Sequence, residues 1–261
     1  MKKYRYACIF ITIMLFVSGC AASFRERRDI SRPLVDLALE NLRNKNIQAA
    51  LVDLKKARDA NPEDPEVYYT FALAYWSTNK YQKTLNYLDK AIEYSDRLEL
   101  ERPGMASKAY NLKGVVLFQE GKKDQAVLAF KKALEDELYP TPEYPLYNLG
   151  EVYISEGKLD EAKKFLDLAI KHNYHYAPAW EALARVYMAR KDTPSAINSL
   201  RHAILEFPAF TNAHLELASL YLETGDTQDA VKHLKKVVEL DRSGPLGRIA
   251  RKRLERLGVK P

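Results

Sequence analysis

The chain has 261 residues and a formal net charge of +6 at pH 7, and its two cysteines are Cys8 and Cys20. The positive charge is concentrated near the ends, because residues 242–261 alone hold seven Lys or Arg against one Glu. This distribution argues against a basic surface along the whole protein, so we expect no nucleic-acid partner.

The N-terminal segment has the parts of a secretory signal. Residues 2–5 include three basic side chains, and residues 7–17 form a mostly apolar run. That run is too short to span a bilayer, which needs about 20 helical residues. It ends in Val-Ser-Gly at 17–19, directly before Cys20, and this arrangement resembles the lipobox of bacterial lipoproteins.

The lipobox resemblance implies a lipid anchor on Cys20. Lipoproteins of this class carry a diacylglyceryl thioether on the cysteine, are cleaved before it and are acylated on the new amine. Cleavage would remove residues 1–19 with Cys8, so no intramolecular disulfide could form. Three acyl chains make a durable anchor. The alternative is a thiol that carries no lipid.

The residue after the lipidated cysteine often decides the destination in a bacterium with two membranes. Ala21 is not the aspartate that typically retains lipoproteins at the inner membrane. The resemblance therefore implies the periplasmic face of the outer membrane, or the outside of the cell in a single-membrane organism. Residues 20–30 are predicted to be a lipidated polar tether, and a flexible chain of ten residues spans about 15–20 Å.

From residue 31 the chain repeats with a period of 34 residues. Small residues recur at one position, as at Gly114, Gly150, Ala184 and Ala218. This pattern resembles the tetratricopeptide repeat, in which small residues lie where two helices cross. The predicted fold is all-α, a right-handed superhelical solenoid of about six repeats with a C-terminal capping helix. The repeats are predicted at 31–64, 65–98, 107–140, 143–176, 177–210 and 211–244.

Turns inside the repeats are predicted at residues that tolerate a left-handed or turn backbone. Two insertions interrupt the period, eight residues at 99–106 and two residues at Thr141-Pro142. The predicted turns are Asn44–Asn46, Asn79, Gly121, Gly157, Lys191–Asp192 and Gly225.

Residues 245–261 are predicted to form a basic capping helix and tail. Leu246, Ala250 and Leu254 lie on one apolar stripe, and basic residues cover the other faces. A terminal repeat needs a polar-backed cap of this kind for solubility. The alternative is a basic patch that contacts anionic lipid headgroups or an acidic partner.

No catalytic, metal or cofactor site is predicted. The five histidines are scattered over three repeats, and we find no His-Glu-x-x-His, Gly-x-Ser-x-Gly or phosphate-loop motif. His172 and His175 could hold a metal in principle, but no carboxylate or thiol is obviously placed to complete a tetrahedral site. We therefore expect a non-enzymatic protein.

The predicted function lies in a groove lined by the first helix of each repeat. In the tetratricopeptide family, fixed repeat positions face this groove, and an apolar, aromatic lining suits an extended or helical protein segment. Tyr69, Trp76 and Phe118 are the leading candidates, although aromatic residues at helical spacing can equally belong to the core. The predicted groove residues are Val35, Leu39, Leu42, Tyr69, Leu73, Trp76, Val115, Phe118, Tyr144, Tyr147 and Ile154. The last two repeats offer a more polar set, Glu181, Arg185, Met188, Asn212, Ser219, Leu222 and Glu223.

A lipobox followed by such repeats resembles the type IV pilus pilotins, the PilF/PilW/Tgl group of outer-membrane lipoproteins. The more specific match is Ala-Leu-Glu-Asp-Glu-Leu-Tyr-Pro at 133–140, followed by Tyr-Asn-Leu-Gly at 147–150. The resemblance implies a protein that binds secretin subunits and brings them to the outer membrane for pilus biogenesis. We expect it to be a monomer. The alternative is a general envelope scaffold that organises cell-wall enzymes or serves outer-membrane assembly, because fold alone does not fix function.

Overall fold

The computed structural model describes residues 23–98 and 104–260 of the chain. Within these two stretches the regular structure is helical, in thirteen helices. The predicted signal segment, Cys20 and residues 99–103 lie outside the described residues. The helices are α1 Phe24–Arg43, α2 Ile47–Ala60, α3 Pro65–Trp76, α4 Tyr81–Arg97, α5 Met105–Gln119, α6 Lys123–Ala133, α7 Glu143–Ser155, α8 Leu159–His172, α9 Ala177–Ala189, α10 Thr193–Glu206, α11 Thr211–Glu223, α12 Thr227–Leu240 and α13 Pro245–Arg256.

The described residues divide into two compact units, the first formed by residues 23–98 and 104–109 and the second by residues 110–260. In the first unit α1 packs on α2 and α3 packs on α4. In the second unit α7 packs on α8, α9 on α10 and α11 on α12. Each pair is joined by a short turn, so each is one helix–turn–helix unit. Such a unit cannot bury its apolar face alone and depends on its neighbours.

Left-handed backbone conformations mark the turns inside the repeats. At Gly157 the φ angle is +72°, and its N–H donates to the carbonyl of Ile154 at 3.0 Å, which ends α7. Few residue types adopt this backbone conformation without strain, and glycine is the least restricted because it has no Cβ. The turn positions predicted from the sequence are confirmed, with positive φ at Lys45, Asn79, Gly121, Gly157, Lys191 and Gly225.

Two glycines lie where the helices of a unit cross. A Cβ added to Gly150 on α7 would meet the side chain of Leu166 on α8 at 2.7 Å. A Cβ added to Gly114 on α5 would meet the ring of Phe130 on α6 at 2.5 Å. Interiors are close-packed, so a larger residue at either position would push the two helices apart.

Buried side chains form clusters that follow one another along the repeats of each unit. In the first unit Leu54 and Phe71 belong to a cluster drawn from α1 to α3. In the second unit one cluster contains Leu166, the next contains Leu217 and a further one contains Leu254. Burial of these side chains stabilises the stack by roughly 1.5–3 kcal/mol each.

The predicted tether is wrong over residues 24–30, because α1 begins at Phe24. Ser23 and Glu26 form a capping box: Ser23 Oγ accepts from the Glu26 N–H at 3.2 Å, and Glu26 Oε2 accepts from the Ser23 N–H at 2.7 Å. These two hydrogen bonds satisfy backbone donors at the start of the helix. The charged residues at 25–29 therefore lie on a helix and do not form a flexible chain.

The basic C-terminal segment forms α13, which packs on α11 and α12. Asp241 caps its N-terminus, since the carboxylate oxygen Oδ2 accepts from the N–H groups of Leu246 and Gly247 at 2.9 and 3.1 Å. Ala250 and Leu254 are fully buried. Among the helices in the described residues, none has the length and apolar character needed to cross a membrane.

Candidate protein-binding site

The groove residues predicted in the first unit differ in their accessibility. Val35 is only 1% exposed and lies in the buried cluster with Leu54 and Phe71, so its assignment to a binding surface is wrong. Leu39 and Leu42 are half-buried against the same cluster. The predicted groove residues of this unit that are partly exposed to solvent are Leu39, Leu42, Tyr69, Leu73 and Trp76.

The groove residues predicted in the second unit all keep some exposure. Val115 and Phe118 on α5 are half-buried. Tyr147 and Ile154 on α7 are half-buried and pack against the cluster that contains Leu166. Tyr144, at the start of α7, is 41% exposed and is the most accessible of these apolar and aromatic residues.

Three tyrosines form an aromatic group at the junction of two repeats in the second unit. The ring of Tyr176 meets the rings of Tyr144 and Tyr147 edge-to-face, with centroid distances of 5.3 and 5.5 Å. Burial raises the pKa of Tyr147 and of Tyr176, so both hydroxyls stay protonated at physiological pH. Edge-to-face pairs are specific in geometry, and this one positions the ring of Tyr144 while the residue stays 41% exposed.

A cluster of four charged side chains lies on the first helices of three successive repeats. Arg185 on α9 donates a hydrogen bond to Glu151 on α7, and its Nε lies 3.1 Å from Oε1 of Glu181. Glu216 on α11 completes the group beside Glu181. We call Glu151, Glu181, Arg185 and Glu216 the Glu–Arg cluster.

The Glu–Arg cluster has three carboxyl groups for one guanidinium. Burial, followed by the charge of Glu181, raises the pKa of Glu216 to about 8. Burial also raises the pKa of Glu181, against the opposing effect of Arg185. At neutral pH Glu216 is therefore mostly protonated and Glu181 accepts its hydrogen bond.

The tyrosine group and the Glu–Arg cluster are continuous. Tyr147 interacts with Glu151 through a side-chain hydrogen bond and with Arg185 through its charge. The surface therefore offers an accessible aromatic ring beside half-buried hydroxyl, carboxyl and guanidinium groups. Such a combination can hold an apolar side chain of a partner and hydrogen-bond the adjacent polar groups.

Polar pairs continue along the first helices on both sides of the cluster. Asn148 Nδ2 donates to Asn111 Oδ1 at 3.0 Å, between α7 and α5. Arg253 on α13 donates to Ser219 Oγ on α11. Three of the polar groove residues predicted in the last two repeats therefore contact a neighbouring repeat or the capping helix. They are Glu181, Arg185 and Ser219.

The sequence-based prediction missed Glu151, Tyr176 and Glu216. A usable signal existed for Glu151, because it precedes Arg185 by one repeat period of 34 residues and carries the opposite charge. Glu216 gave no such signal, since its high pKa depends on burial.

The histidines make pairwise contacts in the described part of the chain. His175 Nδ1 lies 2.6 Å from Glu206 Oε2, and His214 Nδ1 lies 2.8 Å from His233 Nδ1. Within residues 23–98 and 104–260 there is no group of three or more His, Cys, Asp or Glu arranged to hold a metal ion. His172 does not join His175 in a metal site there.

Two family models of the tetratricopeptide repeat match most of the repeat region of this chain. One model matches residues 117–186 and 187–254, and a second matches residues 69–143. The prediction of an all-α tetratricopeptide solenoid is confirmed.

The chain is similar to two proteins of very different length. Type IV pilus assembly protein PilF of Pseudomonas aeruginosa is 22% identical over 200 residues, which are 73% of this chain and 76% of PilF. The Hsp70-Hsp90 organizing protein of Triticum aestivum is 25% identical over 203 residues, but the chain spans only 33% of its length.

Two solved structures have the same fold. The structure of P. aeruginosa PilF superposes with a TM-score of 0.73 at 17% identity, covering 87% of this chain and 99% of that one. PilW, a widely conserved type IV pilus biogenesis factor, gives a TM-score of 0.71 at 18% identity, covering 84% and 97%. The predicted similarity to pilus biogenesis proteins with tetratricopeptide repeats is thus confirmed at the level of relatives and fold.

Proposed function

Because the chain belongs to the tetratricopeptide-repeat family, we propose that it is a protein-binding scaffold and pilotin, which binds secretin subunits and promotes their localisation and assembly in the outer membrane for type IV pilus biogenesis. A lipid on Cys20 would hold it at the periplasmic face of that membrane. The partner and the location both follow the pilotin resemblance, and the binding surface follows from the geometry of the second unit.

The main observation behind this proposal is that the match between this chain and PilF extends over most of both proteins. The matched region spans 76% of PilF in sequence and 99% of its solved structure. By contrast, the chain spans 33% of the wheat organizing protein. A match over most of PilF supports a similar role more than a match over a third of a longer relative does.

The surface that would contact the secretin is the tyrosine group together with the Glu–Arg cluster. Tyr144 presents an exposed ring whose position is fixed by Tyr176, and tyrosine is among the residues that dominate binding energy at interfaces. The carboxyl groups beside it select a segment with hydrogen-bond donors or a basic residue next to its apolar anchor. Tyr69, Trp76 and Phe118 remain candidate contacts in their own units.

The test uses a deletion strain and a pair of matched variants. Loss of the gene should abolish secretin multimers in the outer membrane, and the wild-type gene should restore them. Tyr144→Ala should restore few multimers because it removes the accessible anchor. Tyr174→Ala is the control, since Tyr174 has a similar exposure of 46% but lies after α8, outside the tyrosine group.

Normal secretin multimers in the deletion strain would rule out the pilotin role. The general envelope scaffold would then be tested by recovering cross-linked cell-wall enzymes or outer-membrane assembly proteins with the wild-type chain and not with Tyr144→Ala.

A further inference from the structure

The outer face of α13 carries a row of basic side chains. Arg248, Lys252 and Arg256 recur every fourth residue and are exposed, while Ala250 and Leu254 fill the opposite, buried face. Residues four apart lie on the same side of a helix, so the three cations form one stripe along its length. We call Arg248, Lys252 and Arg256, with the flanking Arg242 and Lys260, the basic face.

None of these five cations has a carboxylate within ion-pair distance among the described residues. The guanidinium of Arg248 donates to the backbone carbonyl of Ser243 at 3.0 Å, which leaves its charge uncompensated. The two acidic residues nearby do not neutralise the stripe: Asp241 caps the helix through Leu246 and Gly247, and Glu255 makes no ion pair within residues 23–98 and 104–260. The face therefore has a strong positive potential.

The shape of the basic face suits an extended anionic surface better than a discrete ligand. Four surface cavities of about 350, 420, 340 and 270 Å³ occur in the described part of the second unit, and α13 lines none of these four. Residues 242–260 contain no aromatic side chain on which a nucleic-acid base could stack. Ile249 lies between the cations and is 42% exposed, so it can enter the apolar edge of a lipid headgroup layer.

We infer that the basic face of α13 binds the anionic headgroups of a lipid bilayer. This contact is additional to the proposed thioether anchor and to the partner-binding surface, and it requires neither of them. Each Lys or Arg near an anionic membrane strengthens binding about fivefold, so three such residues contribute roughly a hundredfold.

The experiment compares two triple variants in the full chain carrying Cys20→Ser, which cannot form the thioether. Arg248→Gln/Lys252→Gln/Arg256→Gln removes the stripe. Lys131→Gln/Lys164→Gln/Lys171→Gln is the control, because it removes the same charge from exposed lysines of α6 and α8 that make no ion pair among the described residues. Co-sedimentation is measured with phosphatidylglycerol–phosphatidylcholine vesicles and with phosphatidylcholine vesicles, and circular dichroism checks the helix content.

The proposal predicts binding to the vesicles that contain phosphatidylglycerol, weakened about a hundredfold in the stripe variant and by less than threefold in the control. The binding should also weaken as salt is raised. Equal losses in the two variants would overturn it, because net charge alone would then explain the effect. Binding of polyglutamate without binding of vesicles would also overturn the proposal, because it would indicate an acidic protein partner instead of a membrane. If the triple variant loses helix content, Lys252→Gln alone must weaken vesicle binding about fivefold for the proposal to stand.

Discussion

Arg185 on α9 donates a hydrogen bond to Glu151 on α7, one repeat period away along the chain. The pair joins the first helices of two successive repeats at the surface proposed to bind a partner. Arg185 also approaches Glu181 on its own helix at 3.1 Å, so one guanidinium compensates two carboxylates. Substitution of Arg185 therefore affects the stability of the repeats as well as the proposed binding surface.

Replacing Arg185 by Met should lower the free energy of unfolding by about 1–3 kcal/mol, because it leaves the buried carboxyl of Glu181 and the half-buried carboxylate of Glu151 without their cation. Urea denaturation at neutral pH measures the change. Arg190→Met is the matched control, since its partner Asp160 is 94% exposed and such surface pairs contribute about 0–1 kcal/mol. Equal losses of stability in the two variants would contradict the assigned role of Arg185.

Glu216 should make the free energy of unfolding fall as the pH rises above the pKa that this carboxyl group has in the unfolded chain. Its pKa in the folded protein is raised to about 8 from the ordinary 4.5, so between these values the folded state holds a proton that the unfolded state has lost. The contribution is complete at low pH and is lost as the pH rises through 8.

Glu216→Gln should flatten this dependence between pH 5 and pH 8, because the amide is neutral throughout and still donates to Glu181. The measurement is the urea midpoint across that range for the wild type and the variant. Glu223→Gln on the exposed end of α11 is the matched control. Parallel curves for the wild type and Glu216→Gln would show that Glu216 titrates normally.

Gly150→Ala should destabilise the protein by about 1–3 kcal/mol, because the added methyl group meets Leu166 at a distance that requires the helices to move. Thermal or urea unfolding measures the loss. In a Leu166→Ala background the same change should be neutral or stabilising by up to about 1 kcal/mol, since alanine is the better helix former. Additive effects of the two substitutions would argue against the close approach of α7 and α8.

Cys20→Ser should abolish the incorporation of labelled palmitate into the protein and, at high salt, which weakens the charge contact proposed for α13, its recovery with the outer membrane. Cys8→Ser is the matched control, because this residue lies in the predicted signal segment and should leave labelling intact. Labelling that persists in Cys20→Ser would place the acyl chain elsewhere and remove the proposed anchor.

The repeat architecture was predictable because close packing leaves few choices at the helix crossings. Gly114 and Gly150 oppose Phe130 and Leu166, and this requirement appears in the sequence as a small residue at a constant interval. The helix turns were predictable for a similar reason, since residues such as Gly157 adopt a positive φ at low cost.

The errors have identifiable physical causes. The many charged residues at 24–30 predict a tether, although Ser23 and Glu26 have the spacing of a capping box. The repeat position of Val35 predicts a groove residue, but Val35 lies in the buried cluster that α1, α2 and α3 share. The raised pKa of Glu216 depends on burial by neighbouring repeats, which no local sequence pattern encodes.

The proposed function requires that the surface around Tyr144 binds the secretin. This contact can be tested by placing a photo-crosslinking amino acid at position 144 in living cells and, in a separate strain, at position 174. We expect a crosslink to the secretin from position 144 and little or none from position 174. Secretin crosslinks from position 174 alone, or from neither position while the pilus still assembles, would contradict it.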